Sequence, residues 1–170
     1  ENDSNIKLWF KKIAFLRKNF NLIIRPHPKT ILSNKNILAE LINEKFIIDN
    51  SPNRKIGDVI KHSKLVFCDY GGPVFSSIYL NKSLILLNLP ENSKFNVELR
   101  ANQSLDVTAR NELASLDINS TEKQILKRVN ESLNSKYTKK LKKIKKKHFG
   151  TSKPYNICLL YTSDAADEED

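Results

Sequence analysis

The chain has 170 residues, a formal net charge of +10, 39% hydrophobic residues and two cysteines. That length allows one ordinary domain with a core of its own. Cys68 and Cys158 form no metal spacing and no disulfide framework, which suits a reducing cytoplasm. No stretch reads as a signal peptide and none is apolar for long enough to span a bilayer. The basic excess would raise nucleic acid or a membrane surface as partners, but eight of the twelve residues from Lys136 to Lys147 are lysine. The remainder is much nearer neutral.

Taken in order, Ile6, Trp9, Phe10, Ile13, Leu16 and Phe20 recur at helical spacing with lysines between them, so residues 5–19 are predicted to form an amphipathic helix. Asn21-Leu22-Ile23-Ile24 reads as a strand that runs into Arg25-Pro26-His27-Pro28. The two prolines stop strand and helix alike and stiffen the loop. His27 is thereby presented at the carboxyl end of a strand, where open α/β sheets bind ligands. Taken alone, it reads better as a surface histidine. Ser33 is placed to cap a helix carrying Ile37, Leu38, Leu41 and Ile42. Phe46-Ile47-Ile48 is the next strand, and Ile56 to His62 a short helix.

The organising stretch runs from Asp58 to Pro90. Leu65-Val66-Phe67-Cys68 is a continuous apolar run, the sign of a strand buried on both faces. It ends at Asp69-Tyr70-Gly71-Gly72, and Pro73 follows in the position proline favours at a helix start. A helix of about two turns leads to a second apolar strand, Leu84-Ile85-Leu86-Leu87. This is a strand–helix–strand crossover, the unit of a parallel sheet. Gly71 and Gly72 would let a phosphate approach the backbone, and the N–H groups and dipole of the helix start favour an anion. Ser76 and Ser77 would add hydroxyl donors. The local pattern fits a plain tight turn with solvated serines equally well.

Beyond Pro90 the pattern fades, and residues 91–118 are expected to hold short helical pieces and a final strand. Ser120-Thr121-Glu122 opens a helix with Ile125, Leu126, Val129 and Leu133 on one face. The lysine-rich helix from Lys136 to Phe149 has Leu141 and Ile144 as its clear apolar contacts. No aromatics are interleaved to stack bases, so nucleic acid is not expected as a partner. A peripheral contact with an anionic membrane through Lys136–Lys147 stays open. Tyr161 to Asp170 carries five acids and no base. The run CLLYTSDAADEED resembles translated sequencing-adapter read-through, which implies that native sequence stops near Ile157 and that 151–170 is disordered. Leaving out the five acids takes the formal charge from +10 to +15.

Arg25-Pro26-His27-Pro28, followed by Asp58-Val59-Ile60 and then, some forty residues on from the loop, Leu65 to Gly72, resembles the C-terminal domain of the CDP-glycerol glycerophosphotransferase family. Those enzymes polymerise teichoic-acid-like and capsular chains. The resemblance covers roughly residues 5 to 135. It implies an α/β fold, a Rossmann-like parallel sheet flanked by helices, forming the C-terminal half of a GT-B fold with a helical extension. On this view 1–135 is the donor-binding domain, 136–150 the lysine-rich helix and 151–170 a non-native tail, with the N-terminal domain and its general base missing. The implied substrate-binding residues are Arg25, His27, Asp69, Tyr70, Gly71, Gly72, Ser76 and Ser77. His27 looks like the family histidine that contacts the donor phosphates. Gly71 and Gly72 stand where the family has two serines, and Ser76 where many members carry an acid. The glycine pair is closer to the loop of UDP-N-acetylglucosamine 2-epimerases, which share the fold.

The expected activity is transfer of a phospho-polyol or sugar from a nucleotide-diphosphate donor to a polymer or lipid-linked acceptor, in bacterial surface-polymer synthesis. No metal and no cofactor beyond the donor is expected, and the expected location is cytoplasmic, at the inner face of the membrane if peripheral. An epimerase-like enzyme of the same fold is the alternative, and a basic membrane- or nucleic-acid-binding module the third.

Overall fold

A computed structural model of the chain describes residues 5–33, 35–89 and 104–150. The tail and residues 90–103 lie outside the described residues. Helix α1 (Asn5–Ile13) tightens into a 3-10 turn over Ala14–Lys18, within the span that the apolar spacing predicts. Strand β1 (Ile23–Ile24) pairs in parallel with β2 (Ile47–Ile48), Ile23 opposite Ile47 and Ile24 opposite Ile48. Helices α2 (Pro28–Ser33) and α3 (Lys35–Asn43) connect them. Ser33 therefore closes α2, a helix the sequence pattern does not announce. β1 is short for a chemical reason. Pro26 lacks the N–H that would extend β1.

After α4 (Ile56–His62) comes the crossover, β3 (Leu65–Cys68), α5 (Gly72–Tyr79) and β4 (Ser83–Leu87). Beyond the undescribed stretch lie α6 (Leu105–Thr108), a 3-10 turn at Ala109–Asn111 and β5 (Ser115–Leu116). The order is β3-β4-β5, all parallel. Helices α7 (Glu122–Ser132) and α8 (Ser135–Phe149) follow. Among the described residues the architecture is mixed α/β with two small parallel sheets, compatible with a Rossmann-like fold. It departs from one continuous sheet, since the ladder joins β1 to β2 and β3 to β4 and β5.

The central strand is the buried one. Leu84, Ile85 and Leu86 are fully enclosed, whereas Leu65, Val66 and Phe67 of β3 are only half-buried. Among the described residues β4 has a neighbour on each side and β3 on one, so the expectation of a strand buried on both faces is met at Cys68 and not along the rest of β3. Trp9 of α1 joins the cluster around β4, while its neighbour Phe10 joins Ile24, Ile37, Leu41 and Phe46. One helix thus packs against both sheets. The opposite face of the small sheet is open, with Ile23 and Ile47 each 55% exposed.

The last helices are fixed by polar contacts as well as by packing. In a capping box, the Thr121 hydroxyl accepts from the Gln124 N–H and the Gln124 side chain accepts from the Thr121 N–H. The Asn134 side chain caps α8 by accepting from the Tyr137 N–H at 2.9 Å. Tyr137 lies buried beside Leu141 and Ile144. Its O–H donates to the Leu84 carbonyl at 2.5 Å and accepts from the Ala114 N–H at 3.3 Å. The stripe holding α8 to the sheet is broader than Leu141 and Ile144 alone. Among the described residues no helix is long and apolar enough to cross a membrane.

Candidate functional site

The carboxyl ends of β3, β4 and β5 lie side by side, and the polar residues that follow them meet there. Gly71, the residue before α5, adopts φ 75° and ψ −151°, a conformation open in practice only to glycine. Gly72 is exposed, and a Cβ added there would meet nothing within 4 Å. The Asp69 carboxylate accepts from the Tyr70 N–H at 2.8 Å and so holds the chain as it leaves the strand.

Two residues from the stretch the sequence leaves unplaced complete this corner. Asp106, only 7% exposed, accepts the Gly71 N–H through Oδ2 at 2.7 Å, and its other oxygen takes the Ser104 hydroxyl. Arg110 donates to the Asp69 carbonyl and, at 2.8 Å, to the Asn88 side chain. Its guanidinium lies 3.7 Å from the centre of the Tyr70 ring. Asn88, just past β4, also donates to Asp117, just past β5, at 2.7 Å. Burial pushes the Arg110 pKa down although the Tyr70, Cys68, Asp69 and Asp106 groups oppose it. Burial raises the Tyr70 hydroxyl, with Arg110 pulling the other way. It also pushes the Cys68 thiol up to about 12, so that sulfur is a core atom and no nucleophile.

The sequence-predicted residues divide. Asp69, Tyr70, Gly71 and Gly72 form this loop. Ser76 is half-buried on α5. Ser77 is a correction, because it is completely buried and its hydroxyl donates to the Pro73 carbonyl at 2.7 Å. It offers nothing to a ligand. Arg25 is a second correction. Its guanidinium is bound to Asp49 at 2.7 Å, to the Ser51 carbonyl at 3.3 Å and to the Arg54 carbonyl. These contacts make it the anchor of the loop after β2 rather than a group turned to a ligand. Burial raises the Asp49 carboxyl, but the bonds from Arg25 and Ser51 and the charges of Arg25 and Arg54 outweigh that and hold it below the ordinary range. His27 is exposed past β1, and its carbonyl receives the Thr30 N–H at 2.9 Å at the start of α2. Arg25 and His27 thus stand at the end of the small sheet, and Asp69–Gly72 at the end of the larger one.

Asp106, Arg110 and Asn88 are the site residues that sequence reasoning missed. They lie 35 residues from Gly71, 41 from Asp69 and 22 from Arg110 respectively along the chain. No local spacing signals such contacts. Among the described residues no group of three or more His, Cys, Asp or Glu is placed to hold a metal ion. In class, the arrangement is a parallel α/β sheet with a glycine turn and a half-buried arginine at its carboxyl edge. No family model, curated protein or solved structure matches the chain.

Proposed function

We propose that this chain binds the diphosphate of a nucleotide donor at the Asp69–Gly72 loop, as the donor-binding half of a GT-B-type transferase in bacterial surface-polymer synthesis. The observation that carries the reading is the Gly71 turn at the carboxyl edge of the sheet, followed by an exposed Gly72 that opens α5. Open α/β sheets take ligands at that edge, and a helix start favours phosphate. The Arg-Pro-His-Pro loop past β1 and its likeness to the glycerophosphotransferase loop add to it.

In the proposed reaction an acceptor hydroxyl attacks the transferred phospho-polyol or sugar, and the bond to the nucleotide breaks. Negative charge then gathers on the leaving phosphate. The Gly72 N–H at the head of α5, the dipole of that helix and the Ser76 hydroxyl stabilise that charge, and the resemblance adds His27 to them. The general base of such enzymes belongs to their other domain. An epimerase-like enzyme is the second reading, and the specific observation in its favour is the Asp-Tyr-Gly-Gly loop with its glycine-only turn.

A basic module acting through α8 is the rival of another class. Its lysines are exposed almost throughout, Lys147 pairing with Glu112 at 3.1 Å and Lys145 standing 4.7 Å from the centre of the Tyr79 ring. Titration with CDP and UDP at low and physiological salt separates the two. Diphosphate binding that persists at physiological salt supports the pocket. Binding that collapses steeply with salt, with single-stranded nucleic acid or anionic vesicles bound more tightly, overturns it.

A further inference from the structure

One short segment, Ser104 to Asn111, brings two opposite charges to the loop. The Asp106 carboxylate holds the Gly71 N–H at 2.7 Å and is fixed from behind by the Ser104 hydroxyl. Arg110 grips the Asp69 carbonyl and Asn88, yet its Nε is buried without a hydrogen-bond partner. An oxyanion of the protein therefore already sits on the N–H group at the head of α5. A half-buried cation with one buried, unsatisfied N–H stands on the neighbouring residues. A single N–H cannot serve two anions at full strength, and a carboxylate left beside a phosphate repels it.

We propose that Asp106 is an internal competitor for the anion position: a nucleoside diphosphate displaces its carboxylate from Gly71 and takes Arg110 as counter-ion. The proposal rests on the diphosphate reading of this loop. It assigns the Ser104–Asn111 segment a movable part, exchanging a bond to the protein's own carboxylate for a bond to the donor. A carboxylate serving only to brace the turn has the opposite signature, since its removal loosens the loop and weakens any ligand held there.

The test is a titration of the isotopically labelled full chain with CDP, UDP and inorganic pyrophosphate, following the Gly71 amide and the dissociation constant. Asp106→Asn keeps the shape and an acceptor for Gly71 while removing the charge. It should tighten all three ligands by about tenfold or more, the scale of one displaced charge-assisted hydrogen bond. Arg110→Gln in the Asp106→Asn background should cancel that gain, and the nucleoside should respond to neither change. Ser104→Ala, which loosens the hold on Asp106 without touching its charge, should tighten binding to a smaller degree and serves if the first variant fails to fold. Wild-type binding with no tightening in Asp106→Asn or Ser104→Ala overturns the inference alone. Absence of binding in wild type and variants overturns the diphosphate reading and this inference with it.

Discussion

Arg110 stacks on Tyr70, its guanidinium 3.7 Å from the ring centre, while donating to the carbonyl of Asp69, the residue before that tyrosine. One arginine thus grips both the backbone and the side chain of the loop after β3. Replacing the ring by an aliphatic group keeps bulk and loses the cation–π contact together with the hydroxyl's bond to the Leu89 backbone. Tyr70→Leu should lower stability by about 1–2 kcal/mol, the range for a partly desolvated pair. Urea unfolding checks it, and a change under about 0.3 kcal/mol would show that the stacking contributes nothing.

The two glycines should behave differently. Gly71 sits at φ 75° and ψ −151°, where a side chain is strained whatever the space around it. Gly71→Ala should cost about 1–3 kcal/mol. Gly72 has an ordinary backbone and open space for a Cβ, so Gly72→Ala should leave the unfolding midpoint nearly unchanged. Equal losses at the two positions would contradict this division.

Acid should act on the loop after β2. The fold holds Asp49 below its ordinary value of 3.8, so near and below that pH the unfolded chain binds more protons than the folded one. The stability from the Arg25–Asp49 bond is complete above the ordinary value and is lost as pH falls through the lower, folded one. Thermal melts against pH should therefore show a slope in that acid window that Asp49→Asn flattens. An identical slope in the variant would place the acid sensitivity elsewhere.

The Tyr137 hydroxyl joins α8 to the sheet through the Leu84 carbonyl and the Ala114 N–H. Tyr137→Phe leaves both buried groups without that partner and should cost about 1–3 kcal/mol. Chemical denaturation measures it. A neutral result would mean that Leu141 and Ile144 alone seat the helix.

Much of the fold is legible because its signals are local. The apolar runs at β3 and β4 and the proline after the glycine pair mark the crossover, and they stand where the structure has them. α4 likewise spans Ile56 to His62 as its apolar spacing predicts. What is not legible depends on partners far along the chain. Nothing near Arg25 says that Asp49 will bind it, and nothing near Gly71 says that Asp106 will. The role of Ser77 is not legible because a serine one turn into a helix reads the same whether its hydroxyl faces a ligand or folds back on the Pro73 carbonyl. Tyr137 is inconspicuous among lysines because its value lies in a hydroxyl that reaches a strand 53 residues away.

Titration calorimetry with nucleoside, monophosphate and diphosphate, on wild type and Gly72→Asp, shows whether the loop after β3 holds phosphate. Affinity should rise with each phosphate added. Gly72→Asp should fold, since its Cβ meets nothing, yet lose the diphosphate, because a carboxylate at the head of α5 repels it. Equal affinity for nucleoside and diphosphate, or normal diphosphate binding by Gly72→Asp, would mean that the loop is only a turn.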